Sequence, residues 1–254
     1  MIIENRRNLV TETVSAPKAH KNVADNWTNK IRNGLEWPLG RFSKVGDRPF
    51  FDADQFGWVA DLESNWHVIR KELEGILVHS DQLPAFQEVS PTQAALTSDD
   101  LWKTYFFYGY GYKVEKNCAE CPETTRLLEQ VPGMKTAFFS ILAPGKHIPP
   151  HRGPYKGVLR CHLGLIVPEP KEQCRIRVDD QFAHWEEGKS MIFDDCFEHE
   201  VWNNTEGRRV VLFMDFVRPL PFPLSLINRL IIRLIALTPF VQESKKKMQA
   251  SGKM

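Results

Sequence analysis

Three histidines and two arginines of this 254-residue chain stand where their chemistry could combine. The stretch VLRCHLGLI (158–166) reads as a strand, and side chains alternate faces along a strand. Leu159, Cys161, Leu163 and Leu165 then share one face, and Arg160, His162 and Gly164 the other. The first face is ordinary core. The second sets a guanidinium beside an imidazole, next to a glycine that leaves space; inside a closed β-barrel it can hold a small anion. His151 lies in PPHRGPYKG just before this strand, and His199 lies in FDDCFEHEVW, 48 residues further on. Two neutral imidazoles on neighbouring strands can grip a borderline metal such as Fe(II) and leave several positions open. Open positions are what a metal needs to bind a bidentate cosubstrate together with O₂. Arg209 follows His199 by ten residues, on the next strand-like segment, where its planar fork can clamp a carboxylate. Taken singly, each residue has a bland reading: a surface histidine at a turn, an arginine on a solvated edge. Their combination and order carry the weight.

The elements that must position these residues are mostly strands. TAFFSILA (136–143), VLRCHLGLIV (158–167), QCRIRV (173–178), KSMIFDD (189–195), HEVWNN (199–204) and RVVLFMDFV (209–217) are separated by turn residues such as Pro144-Gly145, Gly153-Pro154 and Glu187-Gly188. Short strands without intervening helices predict an antiparallel sandwich or jelly roll rather than a parallel sheet. Upstream, Leu62, Trp66, Ile69, Leu73 and Ile76 recur at helical spacing between Trp58 and Val78, one apolar face of an amphipathic helix read as core packing. Residues 80–100 read as a loop, the aromatic run YFFYGYGY (105–112) as a strand or a pocket wall, and Pro122 as the first turn of a short helix.

Length and composition fit one domain with appendages: an extension over 1–48, a β-rich domain over 49–220, and an apolar helix with a basic tail over 221–254. A formal charge of +1 offers no basic face of the kind nucleic acid requires. Five cysteines (118, 121, 161, 174, 196) form no disulfide framework, and the single CxxC, Cys118 and Cys121, reads as a loop pair without a matching zinc half-site. The N-terminal MIIENRRNLV lacks the pattern of a signal peptide, which with the thiols points to the cytosol.

From Phe51 to Pro219 the chain resembles the aspartyl/asparaginyl β-hydroxylase family, which includes bacterial lipid A acyl-chain hydroxylases. The likeness is densest in HRGPYKGVLRCHLGLIVP (151–168) and WEEGKSMIFDDCFEHEVWNNT (185–205), with echoes in residues 50–73 and 121–145. The resemblance implies a double-stranded β-helix of jelly-roll or cupin type, with flanking N-terminal helices and a C-terminal amphipathic helix. It implies an Fe(II)- and 2-oxoglutarate-dependent dioxygenase that uses O₂, with ascorbate as reductant. By the same resemblance, His151 and His199 are the iron ligands, Arg209 and Ser140 hold the distal carboxylate of 2-oxoglutarate, and Arg160 and His162 form the basic pair near its other end. Ser140 shares a strand face with Phe138 and Leu142, which would point it into the barrel. Many oxygenases of the wider fold carry a carboxylate ligand two residues after the first histidine; here that position is Gly153. Asp194 and Asp195 belong to the family's FDD signature and read as hydrogen-bonding residues of a turn.

The substrate stays open at this level between an aspartyl or asparaginyl residue of a peptide and a lipid acyl chain. From Leu224 to Leu237 the chain is mostly Leu and Ile, broken by Ser225, Arg229 and Arg233 every four residues. This narrow polar stripe suits a peripheral contact of residues 221–247 with the inner face of a membrane, reinforced by Lys245–Lys247. Packing on the barrel, or on a second copy in a homodimer, suits it equally. A metal-binding scaffold of the same fold that has lost turnover is the alternative of a different class.

Overall fold

Period-two alternation organises the molecule into two sheets and two cores. In this computed structural model, which describes residues 34, 36–90 and 96–251, every strand pairing is antiparallel. In chain order the strands are β1 (Phe50–Phe51), β2 (Trp102–Gly109), β3 (Tyr112–Lys113), β4 (Met134–Leu142), β5 (His147–His151), β6 (Val158–Ile166), β7 (Cys174–Val178), β8 (Gln181–His184), β9 (Ser190–Phe193), β10 (His199–Asn203) and β11 (Arg209–Val217). The larger sheet has the order β1-β9-β6-β11-β4-β2-β3 and the smaller β5-β10-β7-β8. This is the antiparallel jelly roll expected from the strand pattern, in the double-stranded β-helix form that the family resemblance implies. Most of the expected strands appear within a residue or two of their sequence limits. β5 and β8 were not foreseen, because two prolines in HIPPH and a polar QFAH hide their alternation.

The larger sheet is buried on both faces, which is why its strands are apolar almost throughout. Outward, Leu159, Cys161, Leu163 and Leu165 of β6 join Leu212 and Met214 of β11 and Phe139 of β4 in a core closed by helices. Those helices are α1 (Val59–Ser64) and α2 (Trp66–Leu77), whose Leu62, Ile69 and Leu73 are buried. The single helix expected over 58–78 is thus two, separated at Asn65, whose side chain bonds the Asp61 carbonyl at 2.8 Å and competes with the helical ladder. Inward, a second core lies between the sheets: Phe106, Phe138, Val211 and Phe213 face Ile176, Val178 and Val201 of the smaller sheet.

Cross-strand register sets the inner face in rows. One row runs Phe106–Phe138–Phe213–His162 across β2, β4, β11 and β6. Phe138 stacks on Phe106 at 4.5 Å and on Phe213 at 4.2 Å between centroids. The next row runs Thr104–Ser140–Val211–Gly164. Further along, Arg209 pairs with Leu142, and Leu142 with Trp102.

Among the described residues, three more short α-helices and a terminal pair lie between β1 and the C-terminus. α3 (Phe86–Val89) interrupts the segment expected to be a loop, and residues 91–95 within it are outside the described residues. α4 (Glu115–Glu120) and α5 (Pro122–Glu129) carry the CxxC. Cys118 lies in α4 and Cys121 at the junction with α5; both are buried free thiols, and burial pushes the Cys121 thiol up to about 12. The expected single C-terminal helix is two, α6 (Leu224–Ala236) and α7 (Pro239–Ser251), because Pro239 fits a first turn and not a helix interior. Of the 1–48 extension, residues 1–33 and Leu35 lie outside the described residues; the compact unit starts at Glu36.

Phe138→Ala removes the ring that joins three strands, so it should destabilise the fold by about 3–5 kcal/mol. Urea unfolding followed by far-UV circular dichroism checks this; a loss below about 1 kcal/mol would mean that the row contributes little to packing.

Candidate active site

His151 and His199 are brought together by strand register. They are direct partners across β5 and β10, and their ring centroids lie 4.0 Å apart. His151 Nδ1 donates to the Pro149 carbonyl at 2.8 Å and His199 Nδ1 to the Phe197 carbonyl at 3.0 Å. Each backbone contact fixes the same tautomer and leaves the Nε2 lone pair free, the arrangement seen in metal-ligating histidines. Burial pushes His151 down to about 4 and holds His199 well below the usual range, with the Arg160 charge acting the same way on both. Both rings are therefore neutral at pH 7, as ligands must be.

Opposite them, the inner face of the larger sheet holds donors without acceptors. Arg209 is 2% exposed, and its Nε and Nη1 have no hydrogen-bond partner. Its guanidinium lies over the Trp185 ring at 4.5 Å. Burial lowers its pKa to about 10. His162 accepts at Nδ1 from the Trp185 indole at 3.3 Å, so its Nε2 carries the proton, and that donor too is buried and unpartnered. Ser140 Oγ accepts from the Trp102 indole at 3.0 Å, and the buried Thr104 hydroxyl beside it has no partner. An unsatisfied buried polar group costs about 1–3 kcal/mol. Three such donor atoms on two residues fit an anionic, acceptor-rich ligand that supplies their partners.

Arg160 is differently placed. It binds Asp195 at 2.8 Å and Asp215 at 2.9 Å and lies over the Phe213 ring at 4.3 Å. Burial acts to lower its pKa, but the two carboxylates carry it above the usual range. The expected basic pair is thus unequal: His162 offers a free donor, whereas Arg160 is already engaged.

A cavity of about 160 Å³ runs from Arg160 and Asp195 between the barrel and the C-terminal helices. Its walls are chiefly apolar, with Phe106, Phe138 and Phe213 on one side and Ile232, Ile235 and Met248 on the other. Met248 seats there because Gly109 has no side chain to exclude it.

A family model described as aspartyl/asparaginyl β-hydroxylase matches residues 63–219, more than half of the chain. The chain belongs to that family. It is 49% identical over 203 residues to an ornithine lipid ester-linked acyl 2-hydroxylase of Rhizobium tropici, covering 80% of this chain and 72% of that one. It is 36% identical over 180 residues to the human aspartyl/asparaginyl β-hydroxylase, covering 68% of this chain but only 23% of the human protein. Among solved structures, a Pseudomonas putida prolyl-4-hydroxylase aligns with a TM-score of 0.39 at 16% identity, over 63% of this chain and 98% of that one.

Within this β-hydroxylase-family chain, several site features escaped the sequence. Gly164 leaves space, but not for a ligand: a Cβ there would collide with the Glu186 carbonyl, so the glycine lets the 185–188 turn cross the sheet. That crossing seats Trp185 over both Arg209 and His162. Gly153 is a glycine because a side chain there would collide with the Asp195 carboxyl. Asp195 is accordingly no simple turn residue. It is buried, pairs with Arg160, keeps Oδ1 without a partner, and is pushed up to about 6 by burial. Asp194 does cap its turn, accepting from the Cys196 amide at 3.0 Å, and also pairs with Lys156 at 3.0 Å and with Arg218. Asp194, Asp195 and Cys196 are close enough to share a cation, but Lys156, Arg218 and Arg160 already neutralise the acids. The period-two pattern revealed the inward face of β6; Trp185 lies in a turn where no period applies.

Two outcomes follow. Gly153→Ala should destabilise the protein by about 1–3 kcal/mol through overpacking against Asp195, measured by thermal unfolding; an unchanged melting temperature would mean that Asp195 moves freely. Burial, with the Arg209 and Arg160 charges, holds His162 neutral to well below its usual range. An unfolded chain protonates that ring near pH about 6.5, and the folded chain does not. Stability therefore falls as pH falls through that region, because unfolding takes up a proton. His162→Gln should make this slope shallower by up to about 1.4 kcal/mol per pH unit in urea titrations of metal-free protein. Equal slopes would show that His162 charges in the folded state.

Proposed function

We propose that this chain is an Fe(II)- and 2-oxoglutarate-dependent oxygenase that hydroxylates an unactivated C–H bond of a lipid acyl chain. The observation that carries the reading is the set of buried, unpartnered donors on Arg209 and His162 facing the His151–His199 pair. Bound by the Nε2 atoms of these two histidines, iron would supply O₂ activation, with 2-oxoglutarate leaving as succinate and CO₂ and one oxygen atom entering the substrate. Arg209 would bind the far carboxylate of 2-oxoglutarate through its two open nitrogens, with the Ser140 hydroxyl beside it. His162 Nε2–H would donate to an oxygen of the same cosubstrate. Trp185 orients His162 and screens Arg209 from water, so charge pairing acts at low dielectric. Ascorbate would keep the metal reduced between turnovers.

The acyl chain is favoured over an aspartyl or asparaginyl side chain by the apolar cavity that ends at Arg160 and Asp195. A carboxylate or amide substrate has few polar partners along those walls, whereas methylenes lose water on entering. The Rhizobium relative's acyl 2-hydroxylase name agrees with this choice. A scaffold that had lost turnover would gain nothing from keeping Arg209 and His162 donors buried without acceptors.

Purified protein given Fe(II), 2-oxoglutarate, ascorbate and O₂ should form succinate, and His199→Ala should abolish it. Arg209→Ala should raise the 2-oxoglutarate concentration for half-maximal rate about 10- to 100-fold, the worth of a hydrogen bond to a charged group. Unchanged cosubstrate dependence would remove Arg209 from this role. Acyl lipids incubated with the protein should gain the mass of one oxygen atom; gain on Asp- or Asn-bearing peptides alone would reverse the choice of substrate.

A further inference from the structure

A helix packed on a barrel ordinarily turns mostly polar side chains to water, whereas α6 turns out mostly leucines. Its inner side is anchored by Asn228, which donates to the Gly157 carbonyl at 2.8 Å and accepts from the Tyr155 hydroxyl at 2.7 Å. Ile232 and Ile235 on that side line the cavity. Its outer side presents Leu226, Leu230, Leu234 and Leu237, which are 62%, 55%, 56% and 68% exposed, with Phe222 just before the helix at 83%. At roughly 100° per residue the four leucines share one sector. Arg229 and Arg233 are exposed along its edge. Burial and the charges of these two arginines lower the pKa of Lys135, a residue of the cavity wall, so the three cations are close together. Among the described residues none of the three has an acidic partner. Two of the three lysines expected to help are otherwise engaged: Lys245 lies over the Tyr112 ring at 3.8 Å and Lys247 pairs with Glu243 at 3.3 Å.

We propose that the outer face of α6 docks the protein on an anionic lipid bilayer. Leu226, Leu230, Leu234 and Leu237 enter the boundary between headgroups and acyl chains, while Arg229, Arg233 and Lys135 meet lipid phosphates. Charge complementarity selects this occupant over a second copy of the chain. A two-fold dimer through the same face would set a cluster of unneutralised cations against its own image. The helix lies on the surface rather than spanning it. Among the described residues no single helix is long and apolar enough to cross a membrane, α6 and α7 bend by 64°, and α7 returns to the barrel with Val241, Ser244 and Met248 buried. The cavity lies directly beneath the docked helix, so a lipid chain leaving the bilayer has an apolar route to Arg160 and Asp195; this last point rests on the acyl-chain reading of the site.

The test is co-sedimentation of the full chain with sucrose-loaded vesicles of phosphatidylcholine alone, and of about three parts phosphatidylcholine to one part phosphatidylglycerol, at physiological salt. Binding should favour the anionic vesicles. Leu230→Glu/Leu234→Glu should weaken it at least about tenfold, and Arg229→Gln/Arg233→Gln should erase the preference for anionic lipid. Leu226→Glu/Leu237→Glu serves as a second pair, so that binding is read in whichever keeps the parent melting temperature. No binding to either vesicle, or binding that the leucine variants leave intact, overturns the proposal. So does a dimer, seen by light scattering, that Leu230→Glu dissolves. Succinate formation is read separately: vesicle binding without it leaves the docking standing and removes the acyl-hydroxylase reading, and succinate without vesicle binding does the reverse.

Discussion

A guanidinium held out of water with two nitrogens lacking any hydrogen-bond partner is the constraint around which this barrel is arranged. Arg209 begins β11, the strand that joins β6 to β4 at the centre of the larger sheet. Its burial is possible because that sheet has a core on each face, so the stability of the outer, helix-covered face can offset unsatisfied donors on the inner one. Trp185 softens the desolvation through its ring face and spends its indole N–H on His162, which forces the proton of that imidazole toward the open side. One tryptophan therefore prepares two donors for the same anion. The arrangement is unfavourable in the empty protein and becomes favourable when an acceptor arrives, which is how a site gains selectivity for a ligand of the right charge and shape.

The carboxylates around the histidine pair follow a different rule. The buried acids there each have a cation: Asp195 shares Arg160 with the half-buried Asp215, and Asp194 pairs with both Lys156 and Arg218. Such pairs contribute little net stability over apolar packing but are costly to break singly. Their value is positional. Arg160 ties β6 to β11 and to the turn before His199, and Asp195 fills the volume beside Gly153, two residues after His151. The two metal-ligand candidates are thus braced from behind by two adjacent ion-pair clusters as well as by their shared register.

The C-terminal pair lies beyond the segment that defines the family, residues 63–219. It adds the far wall of the cavity to a barrel whose own inner face supplies the near wall. Asn228 joins this addition to the loop that follows His151, through Tyr155 and Gly157. The wall that the helix pair adds is therefore hydrogen-bonded to a loop that starts only a few residues after His151.

Strand periodicity, read from the chain alone, determined that the protein is built from antiparallel strands and that Arg160 and His162 face away from Leu159 and Leu163. Family resemblance to long motifs singled out His151, His199, Ser140 and Arg209, and the fold brings all four to the space between the sheets or its edge. These things were legible because alternation and motif spacing are local properties. What tertiary structure decided is which of these groups are satisfied. Arg160 and Arg209 look alike in sequence, yet one is paired with two carboxylates and the other is left open, and no spacing rule distinguishes them. Likewise Gly164 reads as open space and Gly153 as a missing carboxylate, but the volume at each is filled by a residue distant in sequence, the Glu186 backbone and Asp195. Hydrogen-bond satisfaction depends on what the chain brings back from elsewhere, and that is settled only when the sheets close.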